Sequence, residues 1–358
     1  MQIPDRKYRG NLGNMDSLDA DHRLLLVTAD DRTGALEIGG VLASTSRSVA
    51  VGPNADDPIQ CVVDIESRHS ATSIAYTRMI DVHQRGAKFH CHKMDSGLRG
   101  NWPHEVKALV DLGYKVAVVP SYPDAGRRCD KGIVYIDDVP LLDSPFGNDP
   151  FSAPCSSSPV KVLESRGCMC KQIVVWDANT NRELKDSVKR CLREDRVLVG
   201  PTGAIEVFAR EIYPTTEPAC IRLHKPILIA CGSLNETSRR QLDLLDVPEL
   251  EWGAPAESYG PVGTISTPMV SNTVSTSAAA EMATAFTAAI TRFERVTNTL
   301  VIIGGDTVAS YLGDGTVNVI GTADTGIPVT QLESRLLVTK GGGIGKPDTL
   351  KKLVQMSK

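Results

Sequence analysis

Short apolar runs that stop abruptly at polar or glycine-bearing residues recur along this chain. The run at 24–29 (LLLVTA) ends in Asp30-Asp31-Arg32-Thr33-Gly34 and leads into a small-residue amphipathic segment through Ala43. That pattern predicts a strand, a turn and a helix. The same grammar repeats at 61–65 into Glu66-Ser67-Arg68, at 89–94 into Asp95-Ser96-Gly97-Leu98-Arg99-Gly100, and at 116–119 into Pro120-Ser121. Residues 132–142 alternate about a central turn and predict a β-hairpin, and 143–158, rich in Pro, Ser and Asp, predicts a long surface loop that is either a lid or a connection. Strands are expected again at 172–176 and 196–199, followed by a helix to Ile212. Beyond the candidate linker 213–218 come a strand at 227–231, a helix carrying Arg239, Arg240 and Gln241, an irregular stretch at 253–277 and an Ala-rich helix at 278–293. Two strand-turn-helix units close the chain, at 300–303 into Gly304-Gly305-Asp306-Thr307 and at 336–339 into Lys340-Gly341-Gly342-Gly343-Ile344-Gly345.

Continuous apolar strands alternating with helices imply an α/β fold with largely parallel sheets covered on both faces, and such sheets present ligands at the carboxyl ends of their strands. At about 150 residues per domain, 358 residues favour two domains. We expect a flexible tail over 1–22, one α/β domain over 23–213, a second over 219–358, and the active site in the cleft between them. Lys+Arg 39 against Asp+Glu 43 leaves a formal net charge of -4. No global basic field draws this chain to nucleic acid or anionic lipid. With no signal-like core and no run of roughly 18 apolar residues, a cytoplasmic, soluble protein is expected, with a homo-oligomer left open. Nine cysteines without a CxxC pair fit reduced thiols better than disulfides or a zinc site.

The strand ends carry the candidate chemistry. Asp30 and Asp31 place two carboxylates where they can bind a metal or hydroxyls, accept a proton from an attacking alcohol, or cap the following helix. Lys93, Asp95, Arg99 and Asn101 cluster within one turn and suit a small anion bearing several hydroxyls, with Arg68 as a second carboxylate clamp. Three glycine-bearing turns in the C-terminal half aim backbone N–H groups at the position of a phosphate, although none is a Walker or dinucleotide fingerprint. Ser233-Leu234-Asn235-Glu236 also reads as a capping box. His90 and His92 share one strand face, but no third metal ligand follows, so they are read as core or surface residues.

Taken in order, Ala29-Asp-Asp-Arg-Thr-Gly-Ala35, Lys93-Met-Asp-Ser-Gly-Leu-Arg-Gly100, Val119-Pro-Ser-Tyr-Pro-Asp-Ala-Gly-Arg127, Gly304-Gly-Asp-Thr307 and Lys340-Gly-Gly-Gly-Ile-Gly345 resemble the four-carbon acid sugar kinase family. The resemblance implies ATP-dependent phosphorylation of a threonate, erythronate or 3-oxo-tetronate, with Mg²⁺, an N-terminal domain holding the acid and a C-terminal domain holding ATP. It assigns Asp30, Asp31, Lys93, Asp95 and Arg99 to the substrate side; from the strand-end placement we expect Asp31 or Asp30 to be catalytic, accepting or orienting the attacking hydroxyl, and Arg68 and Gly100 to join Lys93, Asp95 and Arg99 in binding the acid. Ser233, Gly304, Gly305, Asp306, Thr307 and Gly342 fall to the nucleotide. Gly97 stands where the family usually has threonine, Gly341-Gly342-Gly343 replaces its Ser-Gly-Asn, and the chain is shorter after Gly203. A non-catalytic two-domain sensor and a dinucleotide-dependent dehydrogenase are the rival readings.

Overall fold

The computed structural model describes residues 24–148, 153–256, 259–269 and 276–358. The tail expected over 1–22 and residues 149–152 of the long loop therefore lie outside the described residues. The N-terminal half runs β1 (Leu25–Ala29), α1 (Arg32–Leu42), β2 (Val49–Gly52), β3 (Gln60–Asp64), α2 (Thr72–His83), β4 (Phe89–Lys93), α3 (Trp102–Asp111) and β5 (Val116–Val118). A small antiparallel sheet of β6 (Arg127–Asp130), β7 (Ile133–Ile136) and β8 (Val139–Pro140) follows, and its β7–β8 pair is the expected hairpin. Asp137 and Asp138 turn that hairpin with positive φ of 48° and 68°, a conformation that matches the twist of the flanking strands. Then come α4 (Pro159–Ser165), β9 (Ile173–Val175), α5 (Asn181–Arg193), β10 (Val197–Gly200) and α6 (Thr202–Ile212).

The C-terminal half runs β11 (Ile227–Cys231), α7 (Glu236–Asp243), β12 (Val262–Ser266), α8 (Thr276–Thr291), β13 (Thr299–Ile303), α9 (Gly305–Leu312), β14 (Val317–Asp324), β15 (Ile327–Leu332), β16 (Arg335–Lys340) and α10 (Thr349–Gln355). Between the halves, the 213–218 segment is tied back to the first, with Thr45 N–H donating to Glu217 O at 3.0 Å.

The two halves share one 13-stranded sheet, ordered β12-β11-β13-β16-β15-β14-β2-β3-β1-β4-β10-β5-β9. The seven strands from β2 to β9 pair in parallel, as do the four from β12 to β16. Antiparallel β15 and β14 join the two parallel blocks. The seam is the β2–β14 pair, where Val51, Ala50 and Val49 face Val317, Asn318 and Val319. Helix α1 lies over it: an added Cβ would come within 2.6 Å of Val51 at Gly39 and within 2.9 Å of Thr322 at Gly40. Only glycine lets the helix approach both seam strands so closely.

One hydrophobic core on the α1 face runs through both halves, from Leu25, Ile38 and Val51 to Val319, Leu228 and Leu300. On the opposite face each half keeps its own, with Leu26, Val63, Met94 and Trp102 in one and Ile229, Val301, Val338 and Leu353 in the other. Each parallel block also contains a point where the strand order reverses. In the first block the chain builds β2 and β3 to one side of β1 and β4 to the other; in the second it builds β12 and β13 on opposite sides of β11. Crevices at such points are where open α/β sheets bind ligands. No described helix is long and apolar enough to cross a membrane.

Candidate functional site

At the first switch point, the carboxyl ends of β1 and β4 bring Asp30, Asp31, Lys93 and Asp95 together, and the loop after β3 adds Arg68. Asp30 is 1% exposed and receives Arg68 Nε at 2.8 Å, Arg68 Nη2 at 3.0 Å and Lys93 Nζ at 3.1 Å. Asp31 receives Arg68 Nη1 at 2.7 Å and Lys93 Nζ at 3.2 Å. Its Oδ1 also accepts the Gly34 N–H at 2.9 Å, so the residue caps α1 while belonging to the charge cluster. Asp95 closes the group through Arg99 Nε at 2.9 Å and Nη2 at 2.8 Å, with the Gly97 N–H donating at 2.9 Å.

Two glycines make this packing feasible. An added Cβ at Gly34 would sit 2.3 Å from Lys93 Nζ, and one at Gly100, where φ is +84°, would sit 3.1 Å from Arg68 Cγ. Asn101 fixes the Arg68 loop by donating to Ser67 O at 2.7 Å and Ser70 O at 2.8 Å.

Three carboxyl groups thus face three basic groups. Burial alone would raise Asp31, but Arg68, Lys93 and the Gly34 amide hold it down at about 2. Asp95 is likewise pushed up by burial and held well below the carboxylate range by Arg68 and Arg99. Burial works against the Lys93 ammonium, yet Asp30 and Asp31 hold its pKa above the ordinary lysine value. The side chains reached most by solvent are those of Asp31, 25% exposed, and Arg99, 22% exposed.

The cluster's surroundings were less legible in the sequence. Asp64, at the end of β3, accepts the Glu66 N–H at 3.0 Å, and burial pushes its carboxyl up to about 7. Arg32, 5% exposed, donates through Nη2 to Gly315 O across the seam, while its Nε and Nη1 have no hydrogen-bond partner. Beneath Lys93 lies a buried polar chain in which Thr28 Oγ1 is 2.9 Å from both His83 Nε2 and His92 Nδ1 and His92 Nε2 is 2.8 Å from Glu105. His90 joins it through His83 at 2.8 Å and Tyr114 at 3.0 Å. Both histidines are therefore core residues. Among the described residues no group of three or more His, Cys, Asp or Glu is arranged to hold a metal ion, and the nine cysteines are thiols outside any disulfide.

The start of the long loop covers the Asp95 side. The Phe146 ring lies 4.9 Å from the Arg99 guanidinium, and an added Cβ at Gly97 would fall 2.4 Å from it. Phe146 fills the space that a side chain at 97 would need.

At the second switch point, the turns after β11, β13 and β16 converge. An added Cβ would lie 2.3 Å from Ser233 Oγ at Gly342 and 3.0 Å from the Ser233 N at Gly304, whose φ is +118°. Ser233, Gly304 and Gly342 therefore pack directly against one another. The expected capping box does not form: Ser233 Oγ accepts the Asn235 N–H at 3.1 Å, and Asn235 caps α7 by accepting from Thr237 N–H at 2.9 Å. Helix α7 begins only at Glu236, which leaves Ser233 in the turn. Gly305 and Asp306 are exposed at the start of α9, whereas Thr307 is buried against Gly232.

The two clusters meet across the first turn of α1. An added Cβ at Gly305 would be 3.2 Å from Thr33 Oγ1, and one at Gly341 would be 3.9 Å from Glu37 Oε1. Burial raises the Glu37 carboxyl, which accepts the Thr202 hydroxyl at 3.0 Å.

Residues 25–199 match the family of the sugar-binding N-terminal domain. A D-threonate kinase of Salmonella typhimurium is 28% identical over 258 residues, 61% of this chain and 60% of that protein. A 3-oxo-tetronate kinase of Burkholderia multivorans is 28% identical over 250 residues, 63% of this chain and 56% of that protein. The chain thus aligns with at most 60% of the length of these curated relatives. A solved Haemophilus influenzae protein of the family DUF1537 shares the fold, with a TM-score of 0.65 at 16% identity over 92% of this chain and 99% of that one.

Proposed function

The chain belongs to the four-carbon acid sugar kinase family, and from that premise we propose that it transfers the terminal phosphoryl group of ATP to a hydroxyl of a four-carbon sugar acid of the threonate, erythronate or 3-oxo-tetronate type. The observation that carries this reading is the meeting of the two clusters, with Thr33 beside Gly305 and Glu37 beside Gly341. Phosphoryl transfer needs two substrates aligned in line, and little covalent work from the protein.

On the acid side, Asp31 is the carboxylate solvent reaches, whereas Asp30 is shut in by Arg68 and Lys93. Asp31 therefore orients the attacking hydroxyl and takes its proton late in the transfer, when that proton is most acidic. Asp30 fixes Arg68 and Lys93, Arg99 offers the most accessible positive charge to the acid's carboxylate, and Asp95 aims it. On the nucleotide side, Ser233, Gly304 and Gly342 meet at the ends of three strands with no side chain on either glycine, a backbone-rich cradle that suits a phosphate chain held by N–H groups. Asp306, exposed at the start of α9, faces solvent from the same turn. Mg²⁺ bound chiefly through phosphate oxygens would neutralise charge there, in keeping with a cation that needs few protein ligands.

Incubating the protein with ATP, Mg²⁺ and a panel of stereoisomeric four-carbon acids while following ADP release tests the reading. One acid should give turnover well above the ATP-only background. Acid-dependent binding without ADP release from any member would instead favour the sensor.

A further inference from the structure

Lys340, the last residue of β16, is 0% exposed, and all of its hydrogen-bond partners are neutral. Its Nζ donates to Ile344 O at 2.9 Å, Gly341 O at 3.1 Å and Ser238 Oγ at 3.2 Å. Ser238 in turn donates to Gly342 O at 2.5 Å, and Gln241 Nε2 donates to Ile344 O at 3.1 Å and Lys346 O at 2.7 Å. The 341–346 turn is thus wrapped around a buried amine and pinned by α7. Among the described residues no carboxylate lies within ion-pair distance of Lys340. An ammonium taken out of water is expensive unless something negative compensates it, and carbonyl and hydroxyl oxygens do so only in part.

We propose that Lys340 is the positioning residue of the nucleotide cradle, holding the 341–346 turn against Ser233 and supplying an uncompensated positive charge that an anionic phosphate chain completes. The inference rests on the kinase reading and extends it to a residue that never touches the ligand.

A consequence in pH follows. Burial lowers the Lys340 pKa from the ordinary lysine value to about 8. An anion beside the turn favours the charged form, so binding takes up a proton once Lys340 is neutral in the free protein. Affinity should therefore hold up to about pH 8 and fall above it, by at most tenfold per pH unit. The other groups near Lys340 are Cys231 on β11, whose thiol burial pushes up, Arg239 on α7, Lys346 on the turn itself, and Glu37 on α1 near Gly341. Phosphate ionisation is nearly complete by about pH 7.5.

The test is calorimetric titration with a non-hydrolysable ATP analogue and Mg²⁺ from pH 7.5 to 9.5. Wild-type affinity should fall about tenfold over that range. Lys340→Met should bind about tenfold more weakly at pH 7.5 and lose the slope, whereas Ser238→Ala should bind a few-fold more weakly and keep it. Glu37→Gln should also keep it. A folded Lys340→Met protein that binds as tightly as wild type or retains the slope, or a Glu37→Gln protein that loses it, overturns the proposal. So does a flat wild-type profile, which decides the matter even if Lys340→Met does not fold. Absence of analogue binding by wild type at every pH overturns the kinase reading itself, which a pH-independent wild-type affinity would leave standing.

Discussion

Lys93 and Lys340 are both buried amines at the carboxyl end of a parallel strand, 6% and 0% exposed, yet their surroundings push them in opposite directions. Lys93 touches two carboxylates, which raise its pKa, while Lys340 touches only neutral oxygens and falls to about 8. The N-terminal cluster is electrically closed before any ligand arrives. If it binds the proposed acid, it must trade partners, with substrate hydroxyls and carboxylate replacing contacts that Asp31 and Arg99 already make. The C-terminal turns hold an amine with no carboxylate beside it, which on the proposal above would gain by taking an anion. On the proposed kinase reading, selectivity would belong to the closed cluster, where every wrong geometry leaves a charge unpaired, and affinity for phosphate to the open one.

The largest effect should come from Asp31→Asn. Asparagine caps helices about as well as aspartate, so α1 and the fold should survive. Turnover should drop by about 10³-fold, in the range expected for losing a positioned proton acceptor. If nucleotide affinity drops with it, the two clusters are not electrically separate. Next in size, Gly342→Ala drives a Cβ to 2.3 Å from Ser233 Oγ. Nucleotide binding should weaken by about tenfold, roughly 1.4 kcal/mol, with the KM for the acid unchanged; a matching rise in that KM would break the division of labour. The smallest effect concerns Phe146, packed against Arg99 and Gly97 beside the closed cluster. Gly97→Thr should destabilise the protein by about 1–3 kcal/mol through overpacking against Phe146, and adding Phe146→Ala should recover part of the lost melting temperature. Full additivity of the two changes would show that Phe146 does not occupy that space.

What the sequence made legible follows from burial. Strands covered on both faces, such as those at 25–29, 227–231 and 299–303, read as unbroken apolar runs, and their polar ends marked Asp30, Asp31, Lys93, Asp95 and Arg99, which the structure brings together with Arg68. The strands that weld the halves escaped notice. β2 has four residues, β14 is half exposed and interrupted by Gly321, and β15 carries Pro328, which ordinarily argues against a strand. A period-two pattern at Val317, Val319 and Gly321 was the available signal for β14. β12 was hidden in a Ser, Thr and Gly-rich stretch. Gly34 and Lys340 could not be singled out, because their roles depend on atoms distant in sequence: Asp31 and Lys93 around one, Ser238 and Ile344 around the other.

The seam also bears on how the chain is made. β2 ends at Gly52, but the strand that covers its open edge begins only at Val317. A ribosome must therefore deliver every residue from β2 through β14 before that edge is sealed, and until then a nascent parallel sheet presents unpaired backbone groups to its neighbours. The brevity of β2, four residues with a terminal glycine, makes it a poor template for foreign strands during that interval. The same shortness that conceals the strand from a reader of the sequence leaves little open edge for a foreign strand to pair with.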